Sequence, residues 1–127
     1  MTTANAVLVE EPWCKQGCPV LTMGSFQEVS DDIARKFDKL YLDHIAQGLH
    51  RGQFFPMAHR GEITKDDFAA ELPEIVAGIK PGRENPLDRL MCELVGMGSP
   101  DLCVATMAFE RISKAGDAVI TVDMMGE

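Results

Sequence analysis

Two turns that contain glycine are the segments of this sequence best suited to hold a ligand. "TMGSFQE" (Thr22–Glu28) ends one apolar run, and "GMGSPD" (Gly96–Asp101) ends another and leads into a helical pattern. Parallel α/β sheets bind ligands at the carboxyl ends of their strands, and glycines there let the backbone approach an anion or a planar ring. The alternative is that both segments only turn the chain into the next helix.

The four cysteines are candidates for thiol chemistry or for a metal site. Cys14 and Cys18 have the spacing C-x3-C, as half of a metal site would, whereas Cys92 and Cys103 are eleven residues apart. No histidine stands near either pair in the sequence, which disfavours a zinc site. We therefore predict reduced, buried thiols and no metal.

The other candidates for chemistry are isolated histidines, arginines and aspartates. Arg51 and Arg83 each neighbour a glycine and could clamp an anion, but a solvated surface side chain is the default interpretation for both. The aspartates lie at a predicted strand end and a predicted helix start, where capping explains them, and the histidines are expected to be exposed or hydrogen-bonded. These residues are His44, His50, His59, Arg51, Arg83, Asp43 and Asp101.

The segment "ELPEIVAGIKPGREN" (Glu71–Asn85) contains two glycines that suggest a phosphate-binding loop. Its spacing does not match G-x-x-x-x-G-K-[ST], and Pro81 after Lys80 removes a backbone donor that such a loop uses. We predict instead that Gly78 is a left-handed helix C-cap, followed by a Pro–Gly turn that Arg83 anchors to a carboxylate. The sequence also lacks G-x-G-x-x-G, H-E-x-x-H and G-x-S-x-G.

Short apolar runs alternate with helical patterns along the chain, and this alternation predicts an α/β fold with parallel strands. The predicted strands span about Cys18–Ser25, Lys39–His44, Leu90–Val95 and Asp117–Met124. The predicted helices span Ser30–Lys39, short pieces within Ile45–Ile63, Thr64–Ile79 and Ser99–Gly116.

Capping residues indicate where these helices begin. Ser30 and Ser99 are predicted N-caps, and Thr64 with Asp67 three residues later is typical of a capping box. Pro73 lies inside the third helical pattern, so it either kinks that helix or begins a second turn.

Composition limits the class of protein. At 127 residues with 46% apolar residues, the sequence predicts one domain with a core of its own. A net charge of −8 argues against nucleic acid and anionic membrane as partners. No 18-residue apolar run and no signal-peptide pattern is present, so we expect a cytoplasmic protein.

Three segments taken together are similar to a known family: "LHRGQ", "AELPEIVAGIKPGREN" and "VGMGSPDLCVATMAFERI". The chain resembles the C-terminal half of the ornithine cyclodeaminase/mu-crystallin family, which includes NAD(P)-dependent alanine dehydrogenases and ketimine reductases. Ala70–Arg83 resembles the family's helix that ends in PGR, and Val95–Asp101 its turn into an alanine-rich helix. "TTAN" (Thr2–Asn5), "W-x-K-x-G" (Trp13–Gly17) and "TMGS" (Thr22–Ser25) resemble further family segments.

The resemblance implies a fold and a cofactor. The fold would be the second half of a Rossmann-like parallel sheet with flanking helices and a C-terminal helix and strand, as a single domain over residues 1–127 without the G-x-G-x-x-G half. The cofactor would be NAD(P), and the resemblance assigns no catalytic residue. Residues implied on the nicotinamide side are Thr2, Thr3, Met23, Gly24, Ser25, Val95 and Gly96.

Two family features are expected outside this sequence or are altered in it. The substrate-binding domain and the pyrophosphate loop are implied to precede the matched region. Deaminating members carry an aspartate just after the glycine of the "TMGS"-like strand. Phe26 stands near that place here, followed by Gln27 and Glu28, which counts against cyclodeamination.

Half of a doubly wound sheet would leave an apolar edge and face that need a partner. In one hypothesis a separately encoded N-terminal half docks and completes an NAD(P)-dependent site for a small amino or imino acid. In the other, the chain forms a homo-oligomer that interacts with partners or is vestigial, without catalysis. The sequence can also be one piece of a longer protein.

Overall fold

A computed structural model describes residues 6–115 of the chain. The chain divides into two compact units, Met1–Gly96 and Met97–Glu127. The first unit contains a parallel sheet with short helices, and the described part of the second is one long helix. The prediction of a single domain stays a prediction.

The sheet has four strands, all of them parallel. Their spatial order is β1-β4-β2-β3, so β4, the last strand among residues 6–115, lies between the first two. The strands are β1 (Pro19–Thr22), β2 (Lys39–Leu42), β3 (Ala70–Glu71) and β4 (Leu90–Glu93).

The register of the three longer strands places their carboxyl ends level with one another. Thr22 at the end of β1 and Leu42 at the end of β2 both pair with Glu93 at the end of β4. Segments that follow these strands therefore leave the sheet side by side at one edge. We call this edge the carboxyl edge.

Short helices accompany the sheet in the first unit, and one long helix makes up the described part of the second. They are α1 (Asp31–Lys36), α2 (Ile45–Gly48), α3 (Phe55–His59), α4 (Leu72–Val76) and α5 (Gly98–Ala115). Two 3-10 turns, Glu11–Trp13 and Lys65–Asp67, complete the described elements. No helix in the described range 6–115 is both long enough and apolar enough to cross a bilayer.

The main core lies on one face of the sheet. Leu40, Leu42 and Met91 point from the central strands into this core, where Ile33 of α1 and Phe54 pack against them. The aromatic ring of Phe54 also meets that of Phe68 edge to face, with centroids 5.0 Å apart. The remaining buried members of the core are Val29, Ala34, Phe37, Met57 and Ile63.

The opposite face is only partly covered. Tyr41, Ala70 and Cys92 are buried there beneath residues of α4, but Leu21 on β1 stays 59% exposed. A groove of about 240 Å³ remains, lined by apolar side chains of β1, β4 and α4. We call it the apolar groove.

Exposed apolar side chains also occur along α5. None of its residues is buried. The large apolar side chains exposed on it are Leu102, Val104, Met107, Phe109 and Ile112. The second unit therefore presents apolar surface of its own.

The predicted strands at Cys18–Ser25, Lys39–His44 and Leu90–Val95 and their parallel pairing are confirmed, and each observed strand is shorter than the apolar run that predicts it. The strand predicted at Asp117–Met124 lies outside the described residues. Two short helices occur within Ile45–Ile63, as predicted.

The single helix predicted over Thr64–Ile79 is wrong. Its start is a capping box in which Asp67 accepts from the Thr64 backbone, but that box closes only a 3-10 turn. The next residues, Ala70–Glu71, pair with β2 as strand β3, and Pro73 then begins α4. The apolar spacing is helical in sequence, but the pairing with Tyr41 and Leu42 overrides it.

Four local predictions have mixed outcomes. Ser30 is the N-cap of α1 as predicted, without a side-chain cap hydrogen bond, whereas Ser99 lies inside α5, which begins at Gly98. Gly78 has the predicted left-handed φ of 70°. Arg83 donates to backbone carbonyls, such as that of Asp88 at 2.6 Å, and not to a carboxylate.

Candidate functional site

The two glycine turns lie next to each other at the carboxyl edge. β1 and β4 are neighbours in register, and the Leu94 N–H donates to the Thr22 carbonyl at 2.9 Å. Met23–Ser25 and Val95–Gly96 therefore leave the sheet side by side. Five of the seven residues predicted to contact the cofactor are thus close together, while Thr2 and Thr3 lie outside the described residues.

The turn after β1 folds back onto a buried carboxylate. The backbone N–H groups of Met23 and Gly24 donate to Oε2 of Glu28 at 3.0 and 2.9 Å. A Cβ on Gly24 would come within 2.7 Å of that carboxyl group, so a larger residue there would require the Glu28 side chain to move. The side chains of Met23 and Ser25 remain exposed at the edge.

A carboxylate and a guanidinium hold the turn after β4. Asp43 accepts the Val95 and Gly96 N–H groups at 3.0 and 2.7 Å. Arg51 donates to the carbonyls of the same two residues at 2.9 Å each. Asp43 therefore holds this turn and does not cap a helix, and the Arg51 side chain, which is exposed as expected, holds the same turn.

These hydrogen bonds decide what the two turns can offer a ligand. Four backbone N–H groups, those of Met23, Gly24, Val95 and Gly96, already donate to protein carboxylates. They are not available as a cradle for an anion such as pyrophosphate. What remains is a surface of small and apolar groups, which suits contact with an uncharged ring.

Gln53 joins the carboxyl edge to the segment before α1. Its side-chain oxygen accepts the Glu28 and Val29 N–H groups at 2.8 and 2.9 Å, and its side-chain nitrogen donates to the Val29 carbonyl at 2.9 Å. Its backbone N–H donates to Oε1 of Glu93 at 2.5 Å. Gln53 is 1% exposed, so these bonds are made without competition from water.

Glu93 is a fully buried carboxyl at the end of the central strand. Burial is the main reason that its pKa rises to about 7, and the nearby carboxylates of Asp43 and Glu28 add to the rise. Hydrogen bonds from the backbone of Gln53 and Phe54 oppose it. Near neutral pH the group is therefore about half protonated and able to donate or accept a proton.

Two buried oxygens beside each other lack partners within the described part of the chain. They are Oε2 of Glu93 and Oγ1 of Thr22, whose residues pair across β4 and β1. Together with Glu28 and Gln53 they form what we call the buried polar cluster, directly below the two turns. Protonation of Glu93 would add an O–H donor to this cluster.

His44 is the exposed titratable group at the same edge. It follows β2, and its Nδ1 lies 4.0 Å from Oε1 of Glu71, which ends β3. That carboxylate also accepts the Ile45 N–H at 2.7 Å, so it caps the backbone at the start of α2. No group of three or more metal-ligating side chains occurs among residues 6–115.

Sequence reasoning missed Gln53 and Glu93. The available signal was weak: one charged residue, Glu93, ends the apolar run "LMCELVG", and "RGQ" places a glycine before Gln53. A carboxyl that ends a buried strand needs a hydrogen-bond donor, and here a backbone N–H forty residues earlier in the chain supplies it.

Comparisons with known proteins agree with this geometry. The sequence model of the ornithine cyclodeaminase/mu-crystallin family matches residues 1–116. An uncharacterized cyclodeaminase of Sinorhizobium fredii is 30% identical over 114 residues, which are 87% of this chain and 34% of that protein. Alanine dehydrogenase of Archaeoglobus fulgidus is 26% identical over 114 residues, 87% of this chain and 35% of that protein.

A solved structure extends the similarity to three dimensions. The Δ1-pyrroline-2-carboxylate reductase of Thermococcus litoralis, in complex with NADH and L-proline, superposes with a TM-score of 0.84 and 30% identity. The match covers 94% of this chain and 38% of the reductase. The chain thus spans about a third of the length of the curated relatives. The family resemblance and the α/β fold class are confirmed.

Replacing Gly52 tests how closely Glu93 packs. Gly52 has φ +84°, and a Cβ there would overlap Oε1 of Glu93. Gly61 has φ +70° but open space around it, so it is the matched control. We expect Gly52→Ala to lower the free energy of unfolding by about 3 kcal/mol and Gly61→Ala by about 1 kcal/mol. Urea unfolding of both variants measures this, and equal losses would contradict the proposed packing.

Replacing Glu93 by glutamine tests its protonation. The carboxyl has a pKa of about 7 in the folded chain against an ordinary 4.5, so its stabilising effect is complete below 4.5 and is lost as the pH rises through 7. Glutamine keeps the acceptor and cannot ionise. We therefore expect Glu93→Gln to gain up to about 3 kcal/mol over the wild type at pH 8 and little at pH 4. A difference that does not change with pH, in parallel urea unfolding, would show that Glu93 is not protonated on folding.

Proposed function

Because the chain belongs to the ornithine cyclodeaminase/mu-crystallin family, we propose that it supplies the nicotinamide side of an NAD(P)-dependent site acting on a small amino or imino acid. One observation carries the proposal: the in-register pairing of β1 with β4, which brings Met23–Ser25 beside Val95–Gly96. In parallel α/β folds this edge is the usual place for a dinucleotide.

The chemistry of the two turns supports a nicotinamide contact over a phosphate contact. Their backbone N–H groups are bonded to Glu28 and Asp43, so the surface that they present is uncharged and fixed in place. The cofactor, when bound, would supply the hydride that is exchanged with the substrate. Met23, Gly24, Ser25, Val95 and Gly96 would orient its ring.

The relatives support the substrate class. Those named in the comparisons include an alanine dehydrogenase and a pyrroline-2-carboxylate reductase whose structure contains NADH and L-proline. Phe26, which is 52% exposed, stands near the place where deaminating members carry an aspartate. We therefore favour hydride transfer over cyclodeamination for this chain. A cytoplasmic site of action stays a prediction.

The rest of the site would come from chain beyond the matched third of the family. The open apolar groove and the exposed Leu21 support such a complement, because an apolar surface beside an edge strand is normally covered. We propose that the complement is an N-terminal half that brings the pyrophosphate loop and the groups that bind the substrate carboxylate. Whether it is encoded separately or in the same chain does not change the chemistry.

The same groove also favours a second candidate. Two copies could cover each other's apolar groove and form a non-catalytic homo-oligomer. Light scattering separates the candidates: a stable dimer that does not dissociate when the complement is added supports the second, and a monomer that joins the complement supports the first.

A chimera tests the nicotinamide contact. The matched 38% of the Thermococcus litoralis reductase is replaced by this chain, and NADH binding is followed by quenching of protein fluorescence. We expect binding that Met23→Glu weakens at least tenfold, because a carboxylate would lie against the ring and repel the dinucleotide. Val76→Glu is the matched control, since Val76 is 88% exposed on α4, and it should bind as the parent does.

Two results would oppose the proposal. One is a chimera that unfolds cooperatively and yet binds no NADH. The other is an equal effect of Met23→Glu and Val76→Glu, which would place the nicotinamide elsewhere.

A further inference from the structure

Cys14 and Cys18 lie at the two ends of a tight turn. Cys14 follows the 3-10 turn Glu11–Trp13, and Cys18 immediately precedes β1. Between them the chain reverses: the Cys18 N–H donates to the Lys15 carbonyl at 3.2 Å, and Gly17 has φ +74°. A four-residue turn of this kind keeps its ends within about 7 Å, which brings the adjacent Cys14 towards Cys18.

Hydrogen bonds hold both ends of the turn. The Cys14 N–H donates to the Glu11 carbonyl at 2.9 Å, and the carboxylate of Glu11 pairs with Arg89 at 2.6 Å. The Cys18 carbonyl accepts the Leu90 N–H at 3.1 Å, which ties it to β4. The cysteines are therefore anchored to the same end of the sheet through separate contacts.

The two thiols also share one environment. Both side chains are half-buried and pack against the main core, so they lie on the same side of the turn. The Cys14 Sγ donates to the Glu10 carbonyl at 3.9 Å. Burial raises the pKa of the Cys14 thiol, and the nearby Cys18 raises it further. Both thiols are free in the structure.

The other two cysteines differ in this respect. Cys92 is buried on the opposite face of the sheet, and Cys103 is exposed in the second unit. Each stands alone within the described residues.

We propose that Cys14 and Cys18 are a reversible thiol–disulfide site that reacts with low-molecular-weight disulfides of the glutathione type. One thiolate attacks a sulfur of the oxidant, forms a mixed disulfide and releases one thiol. The second cysteine then attacks the first, forms the Cys14–Cys18 bond and releases the other thiol. The two protein thiols lose two electrons and two protons in total, and the oxidant becomes two thiols.

The disulfide would hold the segment before β1 in a fixed position at the sheet. It would close a five-residue loop and join the segment that contains Glu11 and Trp13 covalently to the start of β1. Gly17 already has the left-handed conformation and its N–H donates to the Leu87 carbonyl at 2.9 Å, so the turn between the two cysteines is formed before any bond closes. The raised pKa of Cys14 keeps the site mostly protonated at pH 7, so oxidation should be slow there and accelerate with pH.

The test uses the full chain with Cys103→Ser, which removes the exposed single thiol. The protein is incubated with oxidised glutathione at pH 7 and pH 8, and its remaining thiols are alkylated. Mass spectrometry of the protein then counts the alkyl groups and any glutathione adducts. We expect the loss of two thiols without a glutathione adduct, and a rate about tenfold higher at pH 8. Dithiothreitol should restore both thiols.

Trypsin digestion without reductant locates the bond. Lys15 lies between the cysteines, so cleavage there separates peptide 1–15 from peptide 16–35, and only a disulfide can hold them together. We expect the linked pair in the oxidised sample and its loss on adding reductant. Cys14→Ser and Cys18→Ser, each with Cys103→Ser, should retain one glutathione adduct and no linked pair.

Three outcomes would overturn the proposal. The first is retention of all thiols after oxidation at pH 8. The second is a stable glutathione adduct in the Cys103→Ser protein, which would show that the second cysteine cannot attack the first. The third is a link between two chains in place of the link within one.

Discussion

The carboxyl edge of the sheet depends on the buried carboxyl of Glu93. This group ends the central strand, and its Oε1 fixes the backbone of Gln53. Gln53 in turn holds Glu28 and Val29, and Glu28 holds the turn that begins at Met23. One buried side chain thus links residue 53 and, through it, the segment 23–29 to the end of β4. Because a buried carboxyl without partners is costly, these hydrogen bonds stabilise the arrangement, and it becomes less stable as Glu93 loses its proton.

The position of the Glu93 carboxyl group also restricts which residues can stand next to it. The backbone must pass so close to Glu93 that residue 52 has no room for a Cβ. Gly24 also packs closely, against the carboxyl group of Glu28. In the second turn, Asp43 and Arg51 together bond both amides and both carbonyls of Val95–Gly96. The backbone of both turns is therefore held in place by polar contacts beneath it.

The sequence predicts the parts of this structure that depend on local pattern. β2 and β4 each contain three successive apolar residues, which is typical of buried parallel strands, so both were predictable. β3 was not, because its two residues sit inside a helical spacing and become a strand only by pairing with β2. The family resemblance was enough to select the residues of the two glycine turns. The hydrogen bonds from Gln53 and Glu93 that support them could not be predicted, because they join residues some forty positions apart.

The hydrogen-bonded turns and the open apolar groove indicate which part of a dinucleotide site this chain can provide. A dinucleotide needs hydrogen-bond donors for its phosphates and a flat surface for its nicotinamide ring. In this chain the four backbone N–H groups of the two turns donate to its own carboxylates, so these turns suit contact with a ring and not with a phosphate. Under the proposed function, a complementary element would approach from the β1 side, where Leu21 is exposed and the apolar groove is open. The same contacts that make the two turns rigid would then leave phosphate binding to that complement.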